Sequence, residues 1–330
     1  MSRQNVVITD FINDDLQPER KILGELADVT SLGAVDEHQL SGKIEQADAL
    51  IVYHELGISR ETIERLERCK LIVRAGVGFD NVDGPAARER AIPLATVPDY
   101  GCEEVADHAI GLALSLVRGI GILNSRLRAG QGEWSYQQVV PLTRLRGKTF
   151  GVVGLGRIGT PAALRAKALG MDVVYYDPCK QDGYDKSLGI RRVESLDELL
   201  GQSLIVSMHC PLTDETRRMI DAAAIERMPR GSYLINTSRG GVVDSAAIPA
   251  AIASGRLAGA GIDVLQHEPP ADDHPLLAAW RDPNHPAHDR LILTPHSAFY
   301  SEEGLMDIRV KTAEACVRAF KGLPLRNVVN

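Results

Sequence analysis

The stretch Lys148–Asp177, KTFGVVGLGRIGTPAALRAKALGMDVVYYD, constrains the fold more than any other part of the chain. A short β-rich run, Lys148 to Val153, meets Gly154, Gly156 and Gly159 in the spacing G-x-G-x-x-G. Helix formers follow from Arg157 to Leu169. A second strand-like run, Met171 to Tyr176, then ends at Asp177. Strand, glycine turn, helix and strand make a βαβ unit, which places the two strands parallel in one sheet. The first glycine permits a tight turn, the second lets a ligand approach the backbone, and the third lets helix and strand pack closely. The helix N-terminus adds unpaired N–H groups and a partial positive charge that favour phosphate. Pro161 falls in the first turn, where its missing N–H costs little. Three glycines alone also occur in ordinary turns; the second strand and its acidic stop make this a dinucleotide site.

Asp177 stands where a carboxylate accepts hydrogen bonds from the adenosine ribose hydroxyls. A 2′-phosphate there would be repelled, and Lys180 is the one nearby cation, so the residues favour NAD over NADP.

A chain of 330 residues exceeds what a single core usually supports, so two domains are expected. The formal charge of -7 leaves no footprint for nucleic acid. No apolar run reaches the roughly 18 residues of a membrane helix, and Met1 to Asp10 lacks the apolar core of a signal peptide, so the expectation is a cytoplasmic protein with no membrane partner. Cys69, Cys102, Cys179, Cys210 and Cys316 are scattered without a C-x-x-C pair, which fits reduced thiols and no metal site.

Apolar runs alternate with helical segments from Val6 onwards: Val6–Thr9, Pro18–Leu26, Ala49–Val52, Thr62–Arg68, Leu71–Arg74. This rhythm implies a parallel sheet covered by helices, yet it lacks a phosphate-binding glycine turn. The spacing predicts one long connecting helix over 101–130, acidic in its first turn and with Arg126 and Arg128 near its end. From Lys148 the rhythm restarts and continues through runs at 204–209, 232–236, 259–264 and 291–294. A final helix over 301–321 is expected to bury Ile308, Val310, Ala315, Val317 and Phe320 and to fold back onto the N-terminal part.

Three of the later strand ends present chemically useful groups. NTSRGGVVD (236–244) presents Arg239, GIDVLQHEPP (261–270) presents Asp263 and Glu268, and LTPHSAF (293–299) presents His296. Ligands of open α/β sheets collect at such strand ends. Singly, each has a plain reading as a turn arginine, a loop carboxylate or a capping histidine. Together with a nucleotide they supply what hydride transfer to a 2-keto acid requires. Arginine grips a carboxylate in a planar fork. Histidine donates a proton to the developing alkoxide, and a neighbouring glutamate raises its pKa and fixes its orientation.

With these blocks in view, and with RAGVGFDNVD (74–83) and TPHSAFYSEE (294–303), nearly the whole chain resembles the D-isomer-specific 2-hydroxyacid dehydrogenase family, and within it is similar to the C-terminal-binding protein branch. The resemblance implies an α/β fold of two Rossmann-like or flavodoxin-like domains with parallel sheets. The NAD-binding domain, 101–298, would be inserted in a substrate domain built from 1–100 and 299–330. It implies a catalytic trio of Arg239, Glu268 and His296, with the backbone N–H groups of Val77 and Gly78 against the substrate carboxylate. It further implies cofactor contacts from Gly154, Gly156, Arg157, Ile158 and Gly159 at the pyrophosphate, Asp177 at the ribose, Cys210 and Thr213 along the HCPLT loop, Thr237, and Asp263 at the carboxamide. Partners would be a small 2-keto or 2-hydroxy acid and a second copy, as family members are commonly homodimers. The alternative within the resemblance is an NAD(H)-gated dimer that binds a short peptide. Phe299 stands where the corepressor branch has tryptophan. The polar stretch 272–290 is read as an overlong solvated loop whose His274, His285 and His288 do not form a metal site. Tyr53, His54, Tyr100, Trp134 and Phe299 are candidates for the substrate pocket.

Overall fold

The strand-like runs form two separate parallel sheets in a computed structural model that describes residues 3–330. Residue contacts divide the chain into two units. One comprises the residues up to Gly101 together with Tyr300–Asn330, the other Cys102–Phe299.

In the first unit, β1 (Gln4–Ile8), β2 (Ala27–Ser31), β3 (Ala49–Val52), β4 (Ile72–Arg74) and β5 (Leu94–Thr96) lie in the order β2-β1-β3-β4-β5. Every pairing is parallel. Strands covered on both faces need apolar residues at consecutive positions, and β3, ALIV, is buried throughout. Their period of two sorts side chains between two cores. Val6, Ile8, Ala49, Ile51 and Val73 face one cluster; Val7, Leu50, Val52, Ile72 and Leu94 face the other.

The helix Glu302–Phe320 packs on the helix Gln17–Leu23 of this unit. Ser301 caps it by accepting the Gly304 N–H at 2.8 Å. Its buried face differs from the expected one. Ile308, Arg309, Thr312, Ala313 and Cys316 are buried, whereas Val310, Ala315, Val317 and Phe320 are only half-buried. Arg309 turns inward because Glu19, fully buried, receives its Nε at 2.6 Å, while Asp14 accepts Nη1 at 2.6 Å. A buried ion pair leaves no trace in an apolar periodicity.

The second unit holds β6 (Thr149–Val153), β7 (Asp172–Tyr176), β8 (Arg191–Arg192), β9 (Ile205–Met208), β10 (Ser232–Asn236), β11 (Leu257–Ile262) and β12 (Leu291–Leu293). They form a seven-stranded sheet in the order β12-β11-β10-β9-β6-β7-β8, again with parallel pairings. The order reverses between β6 and β9, and such a switch point is where doubly wound sheets bind ligands.

Two expectations need correction here. The single helix over 101–130 is two helices, Cys102–Val117 and Ile120–Arg128, bent by 66°. Gly119, with φ 64°, ends the first in the left-handed conformation that glycine adopts without penalty. The stretch 272–290 is not all loop: Pro275–Arg281 is a helix that buries Leu276, Leu277 and Ala279. Its histidines have separate duties. His274 Nδ1 accepts the Leu276 N–H, His285 Nδ1 accepts the Ala287 N–H, and His288 Nδ1 meets the Trp280 carbonyl. Among the described residues no group of three metal-binding side chains exists, and no single helix is long and apolar enough to cross a membrane.

Candidate active site

The glycine turn lies at the switch point of the second sheet. Gly154 has φ 90°, and a Cβ there would stand 2.8 Å from the Cys210 backbone nitrogen, so the turns after β6 and β9 touch backbone to backbone. A Cβ on Gly159 would meet the Gly154 carbonyl oxygen at 2.0 Å, whereas one on Gly156 would meet nothing within 4 Å. Two of the glycines are therefore filled against by the protein, and the third faces open space. The helix Gly159–Ala168 starts at Ile158 without a side-chain cap, and Arg157 beside it is exposed. The Thr160 N–H already donates to the Gly156 carbonyl at 3.1 Å and Pro161 has none, so what this helix start offers an anion is chiefly the positive end of its dipole.

Asp177, at the end of β7, accepts the Leu155 N–H at 2.8 Å through Oδ2 and the Cys179 N–H at 2.9 Å through Oδ1. It pins the glycine turn, and each oxygen has used only one of its lone pairs in these two bonds. Thr237, 7% exposed, has a buried Oγ1 with no hydrogen-bond partner. A bound ligand would satisfy it. Cys210 is buried beside Met219, and burial pushes its thiol up to about 11, so it lines the site as a neutral apolar group. Thr213 lies on the following loop, its N–H donated to Thr216 Oγ1 at 2.8 Å. His209, between β9 and this loop, meets Ser207 Oγ through Nε2 at 2.9 Å, and burial holds its imidazole down to about 4. These residues fit a dinucleotide: an open glycine, an uncapped helix start, an anchored carboxylate and an orphaned hydroxyl.

The neighbouring strand ends β10, β11 and β12 carry Arg239, Glu268 and His296. After β10, Asn236 Nδ2 donates to the Arg239 carbonyl at 2.9 Å and Asn236 Oδ1 accepts from Ser238, which fixes the turn. A Cβ on Gly240 would stand 1.9 Å from the Leu265 carbonyl carbon, so the Arg239 turn lies directly on the loop after β11. Glu268 accepts the Leu265 N–H at 2.6 Å through Oε1 and contacts His296 Nδ1 at 2.6 Å through Oε2. Both side chains are partly accessible, at 31% and 24%. A carboxylate oxygen only accepts, so His296 Nδ1 bears the proton of this bond.

His296 is a non-glycine residue with φ 49°. That conformation costs about 1–3 kcal/mol and persists only where its surroundings impose it. Asp263, 3% exposed, does so: its carbonyl accepts the His296 N–H at 2.8 Å, Oδ1 accepts the Ser297 N–H at 2.9 Å, and Oδ2 accepts the Ala298 N–H at 3.1 Å. Thr294 donates its hydroxyl to Asp263 Oδ1 at 2.5 Å, and His108 Nε2 lies 3.0 Å from that hydroxyl. The sequence reading missed His108 and Thr294. Helical spacing does not distinguish His108 from a solvated residue, and Thr294 is marked only by standing before Pro295 in the His296 block.

The structure thus brings Glu268 and His296 into contact and sets Arg239 at the adjoining strand end. Val77 and Gly78 belong to the first unit, half-buried after β4. There Arg74, 6% exposed, donates Nε to Asn81 Oδ1 and Nη1 to the Ala75 carbonyl, bracing the loop. Of the pocket candidates, Tyr53 is buried against Phe11, while Trp134 is 90% exposed and so is not a core residue. Phe299 packs edge-on to His296 at 6.1 Å.

A family profile described as the NAD-binding domain of D-isomer specific 2-hydroxyacid dehydrogenases matches residues 110–298. The D-3-phosphoglycerate dehydrogenase of Methanocaldococcus jannaschii is 35% identical over 325 residues, 98% of this chain and 59% of that protein. That of Archaeoglobus fulgidus is 36% identical over 296 residues, 90% of this chain and 54% of that protein. The chain therefore spans little more than half the length of these curated relatives. Among solved structures, D-lactate dehydrogenase from Aquifex aeolicus, complexed with NAD and lactic acid, superposes with a TM-score of 0.86 at 30% identity over 96% of both chains.

Proposed function

The chain belongs to the D-isomer-specific 2-hydroxyacid dehydrogenase family, and from that premise we propose that it interconverts a D-2-hydroxy acid and its 2-keto acid with NAD. The observation that supports this most is the 2.6 Å contact of His296 Nδ1 with Glu268 Oε2, beside the strand end of Arg239 and in the same unit as the glycine turn. When bound, the cofactor would supply a hydride as NADH in the reduction and accept one as NAD+ in the oxidation. Arg239 holds the substrate carboxylate in a planar fork and polarises the adjacent carbonyl. Glu268 holds the His296 ring through Nδ1, which leaves Nε2 to deliver a proton to the oxygen as the alkoxide develops. In the reverse direction the same nitrogen takes the hydroxyl proton.

The reading assigns the substrate carboxylate to the backbone N–H groups of Val77 and Gly78. It gives the pyrophosphate to Gly156, Arg157 and Ile158, the ribose to Asp177, and further cofactor contacts to Cys210, Thr213 and Thr237. Asp263 would take the carboxamide with the one Oδ2 lone pair that its bonds to Thr294, Ser297 and Ala298 leave over.

Self-association is part of the proposal. Ile120, Leu127, Trp134, Tyr136, Val140 and Leu142 are exposed within one segment of the second unit, an apolar surface that a second copy would cover. A reducing, cytoplasmic setting accords with five free thiols. The corepressor branch and its peptide-binding role rest on the likeness around TPHSAFYSEE alone, while the matched relatives bear dehydrogenase names.

The test is to follow NADH absorbance with a panel of 2-keto acids, including pyruvate, glyoxylate, hydroxypyruvate and its 3-phosphorylated form. Turnover with at least one is expected. No turnover with any, alongside NADH-dependent capture of a short peptide, would replace the enzyme with the binding protein.

A further inference from the structure

The strained turn that carries His296 is held by a chain of hydrogen bonds that begins outside the residues matched by the family profile. His108 lies on the helix Cys102–Val117, with its side chain 25% exposed. Its Nε2 is 3.0 Å from Thr294 Oγ1, and Thr294 Oγ1 is 2.5 Å from Asp263 Oδ1. Protons can be assigned along this chain. The buried Asp263 carboxylate only accepts, so Thr294 spends its single hydroxyl proton on Asp263. Thr294 Oγ then has only lone pairs to offer His108, and Nε2 must carry a proton. The direction is fixed: His108 donates to Thr294, and Thr294 donates to Asp263. His108 Nε2 also stands 3.8 Å from Asp263 Oδ1.

Asp263 is where the chain acts on the turn. Its carbonyl and both carboxylate oxygens take the N–H groups of His296, Ser297 and Ala298 in succession. Without the Thr294 hydroxyl, the carboxylate would keep its bonds to the Ser297 and Ala298 N–H groups but lose the hydrogen bond that ties it to Thr294 and, through it, to His108. The left-handed His296 would then be free to relax. We propose that His108 is a positioning residue: by donating from Nε2 to Thr294 it fixes that hydroxyl on Asp263 and so keeps His296 in the conformation from which it exchanges the substrate proton. This rests on the dehydrogenase reading for its kinetic consequence, though not for its structural one.

The experiment compares His108→Leu and Thr294→Val, which break the chain, with His108→Gln and Thr294→Ser, which keep a donor at each step. In steady-state reduction of the best 2-keto acid, Leu and Val should lower kcat by about tenfold or more, since small misplacements of a reacting group cost on the order of 10²-fold. KM for NADH should change far less than kcat, because the pyrophosphate and ribose contacts are untouched even where Asp263 shifts at the carboxamide, and Gln and Ser should recover most of kcat because each keeps a donor in the chain. Loss of fold alone would predict neither the split nor the rescue. Amide hydrogen exchange supplies an arm independent of activity. Protection of the Ser297 and Ala298 N–H groups should fall in His108→Leu and return in His108→Gln. Unchanged kcat in His108→Leu, or equal impairment in the Leu and Gln variants, would overturn the proposal. A parent protein that turns over no 2-keto acid would sink the dehydrogenase reading instead. In that event unchanged amide protection in His108→Leu would overturn the positioning role by itself.

Discussion

Alanine at Gly156 and at Gly159 should separate two kinds of damage. A methyl on Gly159 would stand 2.0 Å from the Gly154 carbonyl oxygen and 3.1 Å from its carbon, both backbone atoms of a turn that is itself packed on the Cys210 backbone. Nothing flexible is available to yield, so helix and strand must move apart. Overpacking of this kind costs about 1–3 kcal/mol. For a unit the size of Cys102–Phe299, each kcal/mol lowers Tm by roughly 2–4 °C. A methyl on Gly156 meets nothing within 4 Å, so Gly156→Ala should melt with the parent. It would instead occupy the space through which the pyrophosphate approaches, and a loss of about tenfold in NADH affinity corresponds to roughly 1.4 kcal/mol. Thermal melting and NADH fluorescence titration on both variants suffice. The reasoning is refuted if Gly156→Ala binds NADH like the parent, or if it is Gly156→Ala rather than Gly159→Ala that loses stability.

His296→Ala should reduce kcat by about 10²–10⁴-fold, the usual worth of a positioned acid, with NADH affinity little changed; an unaltered kcat removes His296 from proton transfer. Arg309→Met strands the fully buried Glu19 carboxylate and should cost about 3–5 kcal/mol, while the double change with Glu19→Leu should recover most of it; denaturant titration reads both. His209 is held neutral by burial, its pKa lowered from 6.5 to about 4. The unfolded chain therefore gains a proton before the folded one, and stability should decline as pH falls from 6.5 toward about 4, then level off as far as this group is concerned. His209→Gln should flatten that slope in melts across the window; an identical slope would show that other groups set it.

Much of this was legible in the sequence because it depends on local pattern. The β6 run, the three glycines and Asp177 are adjacent in the chain, and their roles follow from how close a backbone must come. The Arg239, Glu268 and His296 blocks were legible as strand ends, although only the parallel order β10-β11-β12 shows why they emerge side by side. The break at Gly119 was visible as a glycine, but its left-handed φ depends on tertiary packing. Arg309 and Glu19 escaped notice since their pairing joins helices from opposite ends of the chain. His108, Thr294 and Asp263 were hidden for the same reason: a polar chain across three elements has no period.

The most direct test of the central claim is to run the reaction with NADH deuterated at the transferable position of the nicotinamide and to analyse the product by chiral chromatography and mass spectrometry. The account predicts the D-2-hydroxy acid with one deuterium on C2, formed by the parent and formed far more slowly by His296→Ala. An L product, or a D product without deuterium at C2, would contradict it.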